Sequence, residues 1–121
     1  MTAMDDDRDP PEIMALLSAL NAGFATRLPA RMSDLEAALQ SCLDNPADTG
    51  RWIVLRRQLH SLAGSAGSFG FAEISRRARV LEQEVDAILA AGTASAPHAD
   101  VAQALRAFMR WAVDEGRGAA A

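Results

Sequence analysis

The sequence predicts an all-α protein, an antiparallel four-helix bundle with an additional N-terminal helix. Three observations carry this expectation. Aromatic residues make up 5% of the chain and tyrosine is absent, while Ala, Leu and Arg dominate, a composition that favours helix over β-structure. Apolar residues recur at spacings of three and four. Dense turn and capping residues separate the apolar runs. At 121 residues the chain has the size of one domain with one core, and no internal repeat is visible.

The stretch 1–9 is polar and acidic and reads as a flexible arm, 10–115 as the helical bundle, and 116–121 as a flexible tail. Pro10 and Pro11 suit the first turn of a short helix with Ile13, Leu16, Leu17, Leu20 and Phe24 on one side, loosened at its end by Gly23. Pro29 suits the first turn of a second helix carrying Met32, Leu35, Leu39 and Cys42. Asp44-Asn45-Pro46 and Asp48-Thr49-Gly50 reverse the chain, and a third helix starts near Arg51. Its stripe is Trp52, Leu55, Leu59, Leu62, Ala66 and Phe69, ending at Gly70. Phe71, Ile74, Ala78, Leu81, Val85 and Ile88 repeat the pattern up to Gly92, which suits a left-handed cap. Val101, Leu105, Phe108 and Ala112 form the last stripe, ending near Glu115. Short loops between long amphipathic helices make an antiparallel bundle the simplest way to cover these stripes.

The net charge is -4 and the basic residues, all arginine, are scattered, which argues against nucleic acid as a partner. The single cysteine cannot form an internal disulfide, and acidic Asp5, Asp6 and Asp7 stand where a signal peptide would be apolar, so a cytoplasmic location is expected. The run lengths predict no membrane-spanning helix.

His60 follows core residue Leu59, so it points away from the stripe and is expected to be exposed. The helical wheel surrounds it with Ile53, Arg56, Ala63, Gly64 and Gly67, three of them nearly without side chains. A glycine inside a helix costs about 1 kcal/mol relative to alanine, so Gly64 and Gly67 call for a reason. Close approach of a partner's backbone supplies one, because phosphoryl transfer between proteins brings donor and acceptor atoms almost into contact. Ile53 is the expected apolar anchor. A neutral imidazole offers one ring nitrogen as a nucleophile without a general base, and charge neutralisation and metal can come from a partner's acidic pocket.

The run His60-Ser61-Leu62-Ala63-Gly64-Ser65-Ala66-Gly67-Ser68-Phe69-Gly70-Phe71, followed by Ile74, Ala78, Leu81 and Glu82, resembles the signature of the histidine-containing phosphotransfer (Hpt) domain family. The resemblance is strongest from Arg56 to Glu82, with a weaker helix pattern from Ile13 to Val113. It implies a four-helix bundle with an extra N-terminal helix, phosphorylation of His60, and a receiver domain of a response regulator or hybrid histidine kinase as partner. The family commonly carries lysine three residues after the histidine, where this chain has Ala63. Arg56, one turn before His60, is the expected substitute, since arginine binds phosphate oxygens well. The expected role is a monomeric phosphoryl carrier rather than an enzyme, with no cofactor or resident metal. The alternatives are a non-phosphorylated adaptor for a kinase or receiver domain, and a bundle whose patch serves only homodimerisation.

Plainer readings hold elsewhere. His98, beside Pro97 at a helix start, has no metal-ligand spacing and no assigned function. Cys42 reads as an inert core thiol, and Trp52 and Phe69 as core. Arg76, Arg77, Arg79, Glu82 and Glu84 read as a solvated face, with Arg79 nearest the flank of the His60 patch. Asp34, Glu36, Asp44 and Asp48 do not converge on a cation site.

Overall fold

The computed structural model describes residues 11–120. These form four helices, α1 (Pro11–Asp44), α2 (Thr49–Ser68), α3 (Ala72–Ala91) and α4 (Ala99–Ala120), with no strand among the described residues. Each helix packs on its chain neighbours and α4 closes the ring against α1, giving a four-helix bundle. The polar cross-links fix the directions: Arg51 reaches Ser41 and Arg31 reaches Ser61, so α1 and α2 run antiparallel. Arg106 grips Glu36 through two hydrogen bonds of 3.0 and 2.9 Å between α4 and α1, and these hold the Glu36 carboxyl below the usual carboxylate range.

The core takes most of the stripes read from the sequence for the later helices and for residues 32–42, and adds Leu28. Leu28, Leu39, Trp52, Leu55, Leu59, Leu105 and Ala112 are all fully buried, at 0% exposure. Full burial of each large apolar side chain stabilises the fold by about 1.5–3 kcal/mol. Phe69 is half-buried and packs against this core, its ring 5.9 Å from that of Phe24.

α1 departs from expectation. The additional N-terminal helix and its successor are one continuous helix that passes through Pro29. Phe24, Leu28, Met32, Leu35, Leu39 and Cys42 form one unbroken buried stripe, and Pro29 lies on the solvent side. Burial of that stripe outweighs the roughly 3 kcal/mol that an interior proline costs a helix. The first turns are not covered: Ile13, Met14, Leu16, Leu17 and Leu20 are 41–57% exposed. Asn21 already stands level with Gly70 at the end of α2, 3.8 Å from where its Cβ would be, so α1 overhangs the bundle. Nor does the expected lack of any membrane-length apolar run hold. By length and composition α1 is apolar enough to cross a membrane, because residues 13–26 carry no charged side chain. Core helices can be equally long and apolar, and the later turns of α1 supply the bundle core.

The linkers follow local chemistry. The Asp48 side chain caps α2 by accepting from the Gly50 N–H at 3.0 Å. α2 ends in a Schellman motif: the Phe71 N–H donates to the Ala66 carbonyl (2.8 Å), that of Gly70 to Gly67 (3.5 Å), and Gly70 takes φ +86°. Gly92 also has positive φ, at +99°. The α3–α4 loop is fastened by His98, which stacks on buried Trp52 at 5.0 Å and contacts the Thr93 carbonyl through Nε2 at 2.6 Å.

α4 continues through Ala120, past the expected end near Glu115, so 116–120 are not a loose tail. Gly116 is buried there against α1. A Cβ at that position would come within 2.6 Å of Leu28 Cδ1, and Leu28 is itself wholly buried. Residues 1–9, the expected arm, lie outside the described residues. Gly116→Ala is expected to destabilise the fold by about 1–3 kcal/mol despite alanine's higher helix propensity, measured by chemical denaturation. An unchanged or higher midpoint would mean that the α1–α4 contact is slack.

Candidate functional site

α2 and α3 form the most extensive helix pair, and their contact sets the site. Ala63, Ala66 and Ala78 are buried between the helices with Ser75, whose Oγ donates to the Ala63 carbonyl at 2.7 Å. A Cβ on Gly67 would lie 3.2 Å from that same Oγ. Two further rungs lie on this antiparallel register. Glu82 Oε2 is 2.9 Å from His60 Nδ1, and Arg56 donates to Asp86 at 3.3 Å.

His60 is the exposed centre of the face, with 78% of its side chain accessible, whereas Glu82 is only 20% accessible. A carboxylate oxygen can only accept, so in the neutral imidazole the proton of the pair sits on Nδ1 and Nε2 carries the lone pair. Glu82 therefore fixes both the tautomer and the orientation of the ring, with Nδ1 toward α3 and Nε2 directed outward. It was quoted in the sequence as part of the family run, but its contact with His60 depends on helix register, which a wheel of one helix cannot supply.

The residues expected around His60 separate into two groups. Gly64 is exposed, and a Cβ there would meet nothing within 4 Å. Arg56 lies on the α3 side, and its guanidinium is already committed to Asp86. Ile53 is half-buried rather than a freely exposed anchor, and the neighbouring Val54 is the exposed apolar side chain, at 48%. Ala63, expected on the docking face, is only 2% exposed because α3 covers that side of α2. Gly67 is exposed, and its lack of a side chain also permits the helix contact beside Ser75. Arg57, which the wheel reading left out, is exposed beside His60 on the α1 side. There it lines a groove of about 430 Å³ with Arg31, Asp34, Val54 and Ser61.

Cys42 is fully buried, and burial pushes its thiol up to about 11 against the opposing pull of Arg51. Its nucleophilic thiolate is suppressed. Among the described residues no group of three or more His, Cys, Asp or Glu is arranged to hold a metal ion.

The two glycines should respond oppositely to the same substitution. Gly64→Ala is expected to stabilise the fold by up to about 1 kcal/mol through helix propensity alone. Gly67→Ala is expected to destabilise it by about 1 kcal/mol, because the new methyl presses on a hydroxyl pinned to the Ala63 carbonyl. Denaturation midpoints shifting in the same direction for both would show that Gly67 is not a packing glycine.

A family model described as Hpt domain matches residues 19–112, which include every residue of the α2–α3 face. Comparison with curated proteins and with solved structures yields no match. Hpt domains are helical bundles that act as phosphocarriers in two-component signalling and interact there with receiver domains. The bundle, the histidine motif on α2 and the match over most of the length agree, and the chain belongs to the Hpt domain family.

Proposed function

We propose that this chain is a phosphorelay intermediate that accepts a phosphoryl group on His60 Nε2 and exchanges it with an aspartate of a receiver domain. The observation that carries this reading is the His60–Glu82 pair: an imidazole exposed at 78%, with Nδ1 held at 2.9 Å by a mostly buried carboxylate. In the forward step Nε2 attacks the phosphorus of a receiver's aspartyl phosphate while the bond from phosphorus to the aspartate oxygen breaks. The aspartate leaves as carboxylate with the bonding pair. The ring gains positive charge and keeps its Nδ1 proton, and the Glu82 carboxylate stabilises that charge as it develops. The reverse step returns the phosphoryl group to an aspartate. Glu82 orients and stabilises the ring without taking its proton away.

The surroundings suit this exchange. Gly64 leaves room beside the ring for an incoming backbone, and half-buried Ile53 with exposed Val54 offers apolar contact. The partner is a receiver domain of a response regulator or hybrid histidine kinase, and its acidic pocket supplies the metal and the transition-state electrostatics. In this reading the chain is a monomeric phosphoryl carrier working in the cytoplasm, and the four helices of residues 11–120 form the functional unit.

Incubation with a phosphorylated receiver domain, followed by intact mass, tests the proposal. The wild type is expected to gain one acid-labile phosphate and His60→Gln none. Glu82→Ala is expected to fold normally and to accept phosphate about tenfold or more slowly. Binding of receivers without any phosphate on the wild type would replace this reading with the non-phosphorylated adaptor, and an unaltered Glu82→Ala rate would refute the role given to Glu82.

A further inference from the structure

Phosphorylation of His60 places an added charge of about -1.5 to -2 beside a face that already holds two carboxylates, Glu82 and Asp86. A cation is needed nearby, and Arg56 is committed to Asp86 at 3.3 Å. The α2–α3 seam identifies another. Ser75, Arg79, Glu82 and Asp86 recur at helical spacing along one stripe of α3. Three of the four meet α2: Ser75 at Ala63 and Gly67, Glu82 at His60, Asp86 at Arg56. The same register sets Arg79 opposite Ala63, one turn from the His60–Glu82 rung. The buried methyl of Ala63 offers it no partner. Arg79 is exposed and forms no salt bridge or side-chain hydrogen bond among the described residues. Arg76 and Arg77, by contrast, are engaged by Glu73, and Arg77 also covers the Trp111 ring at 4.0 Å.

We infer that Arg79 is the phosphate-binding residue of the phosphorylated protein, its guanidinium donating to the phosphoryl oxygens on His60 Nε2. The inference rests on His60 being the phosphorylated residue. With Nδ1 turned to Glu82, Nε2 points outward from the face, and a phosphoryl group there stands in solvent above α2, within reach of a long, exposed side chain one turn away on α3. Among the described residues Arg57 also stands beside His60 without an ion pair, but it lines the groove on the α1 side of α2. A guanidinium forks onto two oxygens of a phosphoryl group, which suits approach from a neighbouring helix. The cation that a residue three positions after the histidine would supply from α2 comes here from α3.

The full chain can be loaded without any partner by potassium phosphoramidate. Nε2 attacks its phosphorus, the bond from phosphorus to the amide nitrogen breaks, and ammonia leaves. The second ionisation of the phosphoryl group is then followed by ³¹P NMR against pH. A neighbouring cation favours the dianion, so Arg79→Ala is expected to raise that ionisation by about 0.3 to 1 pH unit. Arg79→Lys should recover most of the shift and Arg79→Gln none, with unchanged thermal midpoints throughout. Arg56→Ala and Arg57→Ala should each move it less. A titration of Arg79→Ala that overlays the wild type, or a larger shift for Arg57→Ala, overturns the inference. So does a wild type that phosphoramidate leaves unmodified at His60. Because loading needs no receiver, a chain that titrates as expected yet takes no phosphate from receivers refutes the relay alone.

Discussion

The whole face depends on how closely α2 lies against α3. One buried hydrogen bond, from the Ser75 hydroxyl to the Ala63 carbonyl, sits in a seam made almost entirely of small residues. Such a bond contributes only about 1 kcal/mol, yet a slip of one turn leaves the hydroxyl buried and unpaired and drives it into a neighbouring side chain. The seam therefore has one acceptable register. That register decides which carboxylate meets the imidazole: moved by a turn, Glu82 faces Ala63 or Arg56, and His60 loses the group that fixes its tautomer. Packing and chemistry are here the same constraint.

The rest of the bundle holds this seam without entering it. The Schellman turn at Gly70 joins the two helices through three residues, too few to let them slide. α1 and α4 close the opposite side through the Arg106–Glu36 clamp and the contact at Gly116. The charged side chains divide in the same way. Glu73 is held down to about 2 by Arg76 and Arg77 at the start of α3, and Arg51 is tied to Asp48 and Ser41 at the start of α2. Around His60 the pairing is incomplete. A face that exchanges a charged group benefits from cations that are not already neutralised.

Most of the core was legible because a helix buries a stripe and a stripe has a period. Trp52, Leu55, Leu59 and Leu62 could be placed from spacing alone, and so could the exposure of His60. What a single-helix wheel cannot give is the position of the neighbouring helix. Ala63 lies about as close to His60 on the wheel as Gly64 does, but α3 covers its side and makes it core, while Gly67 stays exposed and meets Ser75 across the seam. Arg57 was missed for the same reason, since the free side of α2 is defined only once α3 occupies the other. The break expected between Gly23 and Pro29 failed differently: local breaker signals were outweighed by a buried stripe that continues on both sides of the proline. The tail at 116–120 was misjudged because glycine there marks close helix contact rather than an end.

The reactive pair is contained in a single helical hairpin. His60 and Glu82 are 22 residues apart, joined by the shortest linker in the bundle. Closing so short a loop carries a small entropic cost, and local contacts of this kind favour rapid folding. The chemistry is thus written in one contiguous segment, while α1 contributes the groove beside it. Changes accumulating in α1 can reshape that groove without disturbing the histidine or its carboxylate, so under the proposed relay the surface beside the reactive pair is free to vary on a separate part of the chain.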